Sequence, residues 1–261
     1  MMNYNVMQTF LTLLIRDART FQQHIFTRMI DACVWSGASL YVSQYLLPLF
    51  GIDSKFASFL VLGNLAVWAV FEVGTNMSIF LGDLHANNSL SYYLSLPISS
   101  NLIFIRIALM DAYKSFMATI PLLILAKLIL RNNFVLSSIH YPKLIVCWIL
   151  AHILFGFFGL FVSSMTQSFE YITTIRQRIL FPIWYLGCYQ FTWYMLLEAN
   201  PTLAYINLIN PIVYVLEGMR GCIDLDLPTI PFSICITAMV LFTLLFGYLG
   251  IHQFKKRLDC L

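Results

Sequence analysis

Charge is scarce in this chain. Lys, Arg, Asp and Glu make up 10% of its 261 residues, against 60% hydrophobic residues. A soluble domain carries about 25% charged residues, so a fold with water on all sides is excluded. No long polar stretch exists to build a separate soluble domain. Net charge is small too, +3 and scattered, which excludes a nucleic-acid-binding face. The cysteines Cys33, Cys147, Cys188, Cys222, Cys235 and Cys260 contain no CxxC pair and no metal-ligand spacing. Most of them fall inside apolar runs, where cysteine acts as a small buried apolar residue, so no disulfide framework is expected. No GxxxxGK[ST] loop occurs, so the chain itself holds no nucleotide in the Walker manner. A cleavable leader is not expected either. The first apolar run, Phe10–Ile15, is short and leads into Arg16 and Asp17 rather than a small-residue cleavage site.

What is present is hydrophobic length. About 20 apolar residues cross a bilayer as a helix. Six runs approach or exceed that, at about 29–50, 57–83, 102–130, 144–166, 179–197 and 231–251. The expected fold is an all-α integral membrane domain covering 1–261, with six spans. Ahead of them, residues 7–25 read as an amphipathic interfacial helix. Met7, Phe10, Leu11, Leu14, Ala18, Phe21 and Ile25 make its apolar side, with Thr12, Arg16, Arg19 and Gln23 opposite. Leu13 interrupts the polar side, and the other reading of this segment is a cytosolic extension of the first span.

Lys and Arg set the orientation. Arg16, Arg19, Arg28, Arg106, Arg176, Arg178, Lys255, Lys256 and Arg257 collect at one set of span ends. Lys55, Lys127, Arg131, Lys143 and Arg220 fall at the other. The richer set is expected in the cytoplasm, with both termini.

Two links carry more than connection. In 84–101, Asn88 or Ser89 can cap a short helix that Pro97 ends, with Leu90, Tyr93 and Leu94 on one stripe. In 198–230, Asn200-Pro201 and Asn210-Pro211 are both helix starts. They predict two short helices, about 201–209 and 211–220, with Gly221 as a stop. The second is about 15 Å long, too short to cross a hydrocarbon core of about 30 Å. Glu217 and Arg220, three apart, share a face and can pair. Leu203, Ile206, Leu208, Ile209, Val213, Val215 and Leu216 make the link too apolar for an aqueous loop, which fits a re-entrant hairpin between the fifth and sixth spans.

The segment Asn210-Pro-x-x-Tyr214-x-x-Glu217-x-x-Arg220, set before the last span, resembles the signature of ABC-2 type exporter permeases. Leu94-Ser95-Leu96-Pro97-Ile98-Ser99 is similar to that family's L-x-x-P-I/V-S stretch. The resemblance covers nearly the whole chain and implies a permease subunit without catalytic residues or a bound cofactor. ATP and Mg would sit on a separate ATPase partner, two copies serving a homodimer in the inner membrane. It implies coupling to the ATPase through Ser89, Leu90, Tyr93, Leu94 and Pro97, with Arg16 and Arg19. It implies an outer gate at Asn210, Pro211, Tyr214, Glu217 and Arg220. Substrates of such proteins include polysaccharides, glycolipids, other lipids and drugs.

Charged residues inside spans are costly and mark function or internal pairing. Asp31 is expected to pair with Arg28, and Asp111 with Lys114. His152 is expected to hydrogen-bond within the bundle, and Glu72 is the candidate for a polar pathway wall. Trp35, Trp68, Phe71, Trp184, Tyr185 and Tyr189 are candidates for an aromatic pathway lining. Two other classes compete. A membrane-embedded enzyme would need a catalytic cluster, but His24, His85, His140, His152 and His252 are isolated. A secondary transporter would show broken helices in both halves.

Overall fold

A computed structural model describes residues 2–53, 55–82, 89–166, 168–223 and 227–258. The described residues are almost entirely helical. Besides helices there is one isolated antiparallel bridge, Ile139 to Ile223. Four helical stretches are long and apolar enough to cross a membrane: Phe56–Gly82, Ser100–Asn133, Tyr141–Met165 and Phe232–Arg257. The runs expected at 29–50 and 179–197 are not among them.

Helix α1 (Met2–Gln22) and α2 (Ile25–Tyr41) are separate elements. His24, at φ −112° and ψ 0°, leaves helical geometry between them, so α1 does not simply extend the first span. The helix changes to wider π turns at Val42–Leu46 and to tighter 3₁₀ turns at Leu47–Phe50. Pro48 removes a backbone donor there. Gly51 closes the run in the left-handed region, φ 85°, which glycine adopts without strain.

Helix α3 (Lys55–Gly82) is the axis of the bundle: 83% of its apolar window is buried, against 28% for the last helix. Around it stand α5 (Ser100–Thr119), its continuation α6 (Leu122–Leu130), α7 (Tyr141–Met165) and α13 (Phe232–Leu258). Pro121 marks the joint between α5 and α6. Close packing in a bilayer needs small residues at helix contacts. Gly156 of α7 lies against the Ala108 carbonyl of α5, where a Cβ would collide. Gly250 of α13 meets the backbone of Phe161 at 3.1 Å from where a Cβ would stand.

Between α7 and α13 the chain forms α8 (Phe169–Ile175), a π turn at Arg176–Leu180, α9 (Phe181–Leu186), an irregular stretch at 187–192, α10 (Trp193–Ala199), α11 (Pro201–Asn207) and α12 (Pro211–Arg220). The single helix expected over 179–197 is therefore two helices and a break. Cys188 at the break has φ 67°, a conformation that non-glycine residues rarely adopt. The expected helices at 201–209 and 211–220 are present, each opened by its asparagine. Asn200 Oδ1 accepts from Leu203 N at 3.0 Å and Asn210 Oδ1 from Ile212 N at 3.0 Å. Gly221 ends α12 in right-handed geometry, φ −63°, not as a left-handed cap.

Contacts sort the bundle into two ends. At one, Phe254 of α13 packs with Phe80 of α3 and Phe104 of α5, Arg257 Nη1 donates to Thr166 O at 2.7 Å, and α1 joins α5. At the other, Ser58 Oγ of α3 donates to Asn133 O and His140 N to Cys222 O. The last turn of α1 and the last turns of α13 share the first end.

Candidate functional site

The short helix in the 84–101 link is α4 (Ser89–Leu94), followed by a turn that reaches Pro97. Asn88 and the side chains of Ser89 and Leu90 lie outside the described residues. Tyr93 and Leu94, the described part of the stripe expected to face outward, instead face the chain's own core. Tyr93 and Leu94 pack with Phe80, Ile103, Phe104 and Phe254. Tyr92 is the exposed ring, at 60%, and Pro97 is exposed beside it.

Tyr93 is held by two arginines from different helices. Arg16 Nη2 of α1 donates to Tyr93 Oη at 2.7 Å, and the Arg106 guanidinium of α5 lies 3.9 Å above the ring centre. Asp17 bridges both cations, 2.8 Å from Arg16 Nη2 and 2.9 Å from Arg106 Nη1. Hydrogen bonding to Asp17 raises the pKa of Arg16 above its ordinary value, against a smaller opposing effect of burial. The knot ties α1, α4 and α5 into one unit. Arg19 is exposed and takes no part in it. Helix α1 buries Phe10, Leu13 and Phe21 and exposes Met7, Leu11 and Ile15. Leu13, which broke the polar side of the helical wheel, is thus a contact to the bundle. The helix carries two apolar faces, one inward and one outward.

Beside this knot opens a cavity of about 570 Å³, walled by Asp17, Arg28, Glu72, Asn76, Arg106 and Lys114 among others. Arg28 Nη1 stands 3.5 Å from Glu72 Oε1, so Glu72 takes the partner expected for Asp31. Asp31 is exposed. Asp111 and Lys114 pair at 3.2 Å, as their spacing predicts. His152 lies deep among Ser115 Oγ at 2.8 Å, Thr119 Oγ1 and the Leu65 carbonyl, which is the internal bonding expected of it.

The aromatic candidates gather on the other side of α3. Trp35 and Phe71 have ring centres 4.7 Å apart, Phe71 and Trp184 5.2 Å, and Trp184 and Tyr189 5.2 Å. Trp68 adds an edge contact to Phe71. Tyr189 Oη donates to Asn64 Oδ1 at 2.6 Å. Tyr185 is exposed and meets the group only at Trp184, edge-on at 4.9 Å between ring centres. A second cavity, about 360 Å³, is lined by Trp35, Phe71, Trp184 and Arg176. Glu72 belongs to the first cavity and not to this one.

The 210–220 segment organises the break in the chain. Glu217 is fully buried. Its Oε1 accepts from Trp193 N at 3.0 Å and pairs with Arg220 Nη1 at 3.3 Å, while Oε2 accepts from Ile230 N at 3.1 Å. Arg220 Nη2 donates to Tyr189 O at 2.7 Å and Nη1 to Phe191 O at 3.1 Å. Asn210 Nδ2 donates to Ile183 O at 2.6 Å, and Tyr214 Oη to Leu208 O at 3.0 Å. Pro211 is buried at the head of α12. These side chains satisfy carbonyls that the break would otherwise leave open.

Asp17 and Arg106 were absent from the expected coupling set. A trace existed in the sequence: Arg106 is an arginine inside an apolar run, which needs a carboxylate partner. No protein-family model matches the chain, and neither does any curated protein or solved structure. No group of metal-binding side chains occurs among the described residues.

Proposed function

We propose that the chain is the membrane subunit of an ATP-driven exporter of the ABC-2 type. In this reading it works as a homodimer in the inner membrane with two copies of a separate ATPase. The substrate is amphipathic: a polysaccharide or glycolipid, another lipid, or a drug. The chain itself catalyses nothing.

The observation that carries the reading is α4. It is a short helix at the basic end of the bundle, presenting Tyr92 and Pro97 outward while Arg16, Asp17 and Arg106 lock its Tyr93 to α1 and α5. A push on α4 therefore moves two helices of the bundle. The absence of a phosphate-binding loop in the chain agrees with energy arriving through such a contact.

Six crossings are supported by the sorting of contacts between the two ends. The chain leaves the Thr166 end and reaches the His140 end by Cys222, so residues between them traverse the bundle despite the break at 187–192. Helix α2 likewise leads from Arg28, beside Glu72, to the Ser58 end of α3. The paired helices α11 and α12 then form the outer re-entrant hairpin, with Glu217 and Arg220 fastening it. The aromatic group of Trp35, Phe71, Trp184 and Tyr189 offers ring faces along which a sugar slides without tight binding.

The test is co-purification. The tagged chain is extracted in mild detergent and its stoichiometric partners are identified. A P-loop ATPase is the expected partner, lost in Tyr92→Arg. A chain that transports without any ATPase overturns the reading and favours a secondary transporter.

A further inference from the structure

The 570 Å³ cavity beside α1 has the size of a small-molecule site, and its charges do not balance. Its walls carry four cations, Arg16, Arg28, Arg106 and Lys114, against three carboxylates, Asp17, Glu72 and Asp111. Glu72 serves Arg28 and Asp111 serves Lys114. Asp17 alone serves both Arg16 and Arg106. Among the described residues one positive charge is left without a counter-ion of its own. The deficit falls on Arg106, which is 4% exposed. Its Nε has no hydrogen-bond partner. Its Nη1 is near enough to Asp17 for an ion pair but is not aligned for a hydrogen bond. No described residue supplies an acceptor to this idle donor, and a buried guanidinium that also shares its one carboxylate with Arg16 has room for an acceptor from outside.

We infer that the cavity binds a phosphodiester amphiphile, its phosphate seated between Arg106 and Arg16. Guanidinium groups match phosphate oxygens in pairs. A single uncompensated cation suits a singly charged diester, and the neighbouring Asp17, Glu72 and Asp111 repel a more highly charged group. The remaining wall combines polar Thr20, His24, Asn76 and Ser163 with Phe21, Ile79, Phe80, Ile107, Met110 and Leu160, and the apolar group is placed to receive hydrocarbon. Helix α1 sets the depth. With Met7, Leu11 and Ile15 turned outward, it lies at the headgroup level of a bilayer, so the cavity mouth meets lipid headgroups. Arg106 and Arg16 are also the residues that hold Tyr93. A phosphate drawn between them competes with Asp17 and alters the grip on α4, so occupancy of the cavity is felt at α4.

The inference rests on the membrane placement of α1 and not on the exporter reading. Binding is measured on the full chain alone in a neutral maltoside detergent, so it can fail while an ATPase still co-purifies, and the reverse. Titration calorimetry compares dihexanoyl phosphatidylglycerol, dihexanoyl glycerol and inorganic phosphate. The phospholipid is expected to bind, inorganic phosphate to bind more weakly, and the phosphate-free glyceride not at all. Arg16→Gln and Arg106→Lys should each weaken phospholipid binding by about tenfold or more. Arg16 is half exposed, so Arg16→Gln tests the site even where the change at buried Arg106 impairs folding. Equal binding of the glyceride, or unchanged binding in Arg16→Gln, overturns the proposal. Inorganic phosphate binding as tightly as the phospholipid keeps the anion site and overturns the amphiphile.

Discussion

Arg220 has its charge buried to 1% exposure, and two backbone carbonyls, one carboxylate and the face of Phe59 at 3.8 Å surround it. Burial of an ion pair is costly unless most of its remaining donors and acceptors are used, and Glu217 and both Nη atoms of Arg220 use theirs on backbone at 189–193 and at Ile230, with Arg220 Nε left without a partner among the described residues. Removing one partner strands the other. Glu217→Ala is expected to lower stability by about 3–5 kcal/mol, read as a fall in the thermal unfolding midpoint in detergent. The double change Glu217→Leu with Arg220→Met should recover part of that loss, because an apolar pair carries no desolvation cost. It will not restore the caps on Trp193 and Ile230. Equal stability of the single variant and the parent would contradict a structural role for the pair. The three-residue spacing made the pairing legible in sequence. Its backbone partners were not, since nothing local to 217–220 points to residues some 30 positions earlier.

At the scale of elements, hydrophobic pattern located helices better than it located their interruptions. Residues 179–197 carry no charge, with Gln190 and Thr192 among mostly apolar side chains, and read as one helix. Pro182, Gly187 and the left-handed Cys188 divide them, and Asn210 with Arg220 takes up the freed carbonyls. Asn210 has a double duty, capping α12 and holding Ile183 O. Asn210→Ala should therefore cost more than a cap alone, whose loss is typically about 1 kcal/mol; Asn200→Ala, whose cap is exposed, should cost no more than that. Comparing the two unfolding midpoints checks the difference. Helix α4 gives a second contrast. Periodicity put Tyr93 and Leu94 on one stripe, and they do pack together, but it did not show which way they turn, because the charges that capture Tyr93 come from α1 and α5. Tyr92→Arg should leave the melting midpoint unchanged and abolish partner binding. Tyr93→Phe, which loses only the Arg16 hydrogen bond, should lower stability by at most about 1 kcal/mol. A Tyr92→Arg chain that still retains its partner would place the docking surface elsewhere.

At the scale of the whole molecule, the disposition of the two ends decides topology. Overall charge and hydropathy sufficed to expect a helical membrane domain, because bilayer insertion leaves few alternatives to helices. The crossing number is harder, since only four helical stretches are long and apolar enough to cross, and α2 and the 169–223 stretch are not among them. The basic residues provide the independent guide. Arg16, Arg106 and Arg257 lie at the end where α1, α4 and the last turns of α13 meet, and that end is expected in the cytoplasm. Six crossings then place Ile52 and Leu227 outside, and Glu170 and Ser95 inside. Each of these four is at least partly exposed, while four of the five described cysteines are buried. A single new cysteine at each position, labelled in whole cells with a membrane-impermeant maleimide, reads the side directly. Ile52→Cys and Leu227→Cys should label without lysis, and Glu170→Cys and Ser95→Cys only after it. Protection of Ile52→Cys, with an N-terminal tag also inside, would mean that α2 does not cross. Protection of Leu227→Cys with Glu170→Cys inside would mean the same for the broken fifth run, and the re-entrant hairpin would then have to lie on the cytoplasmic face.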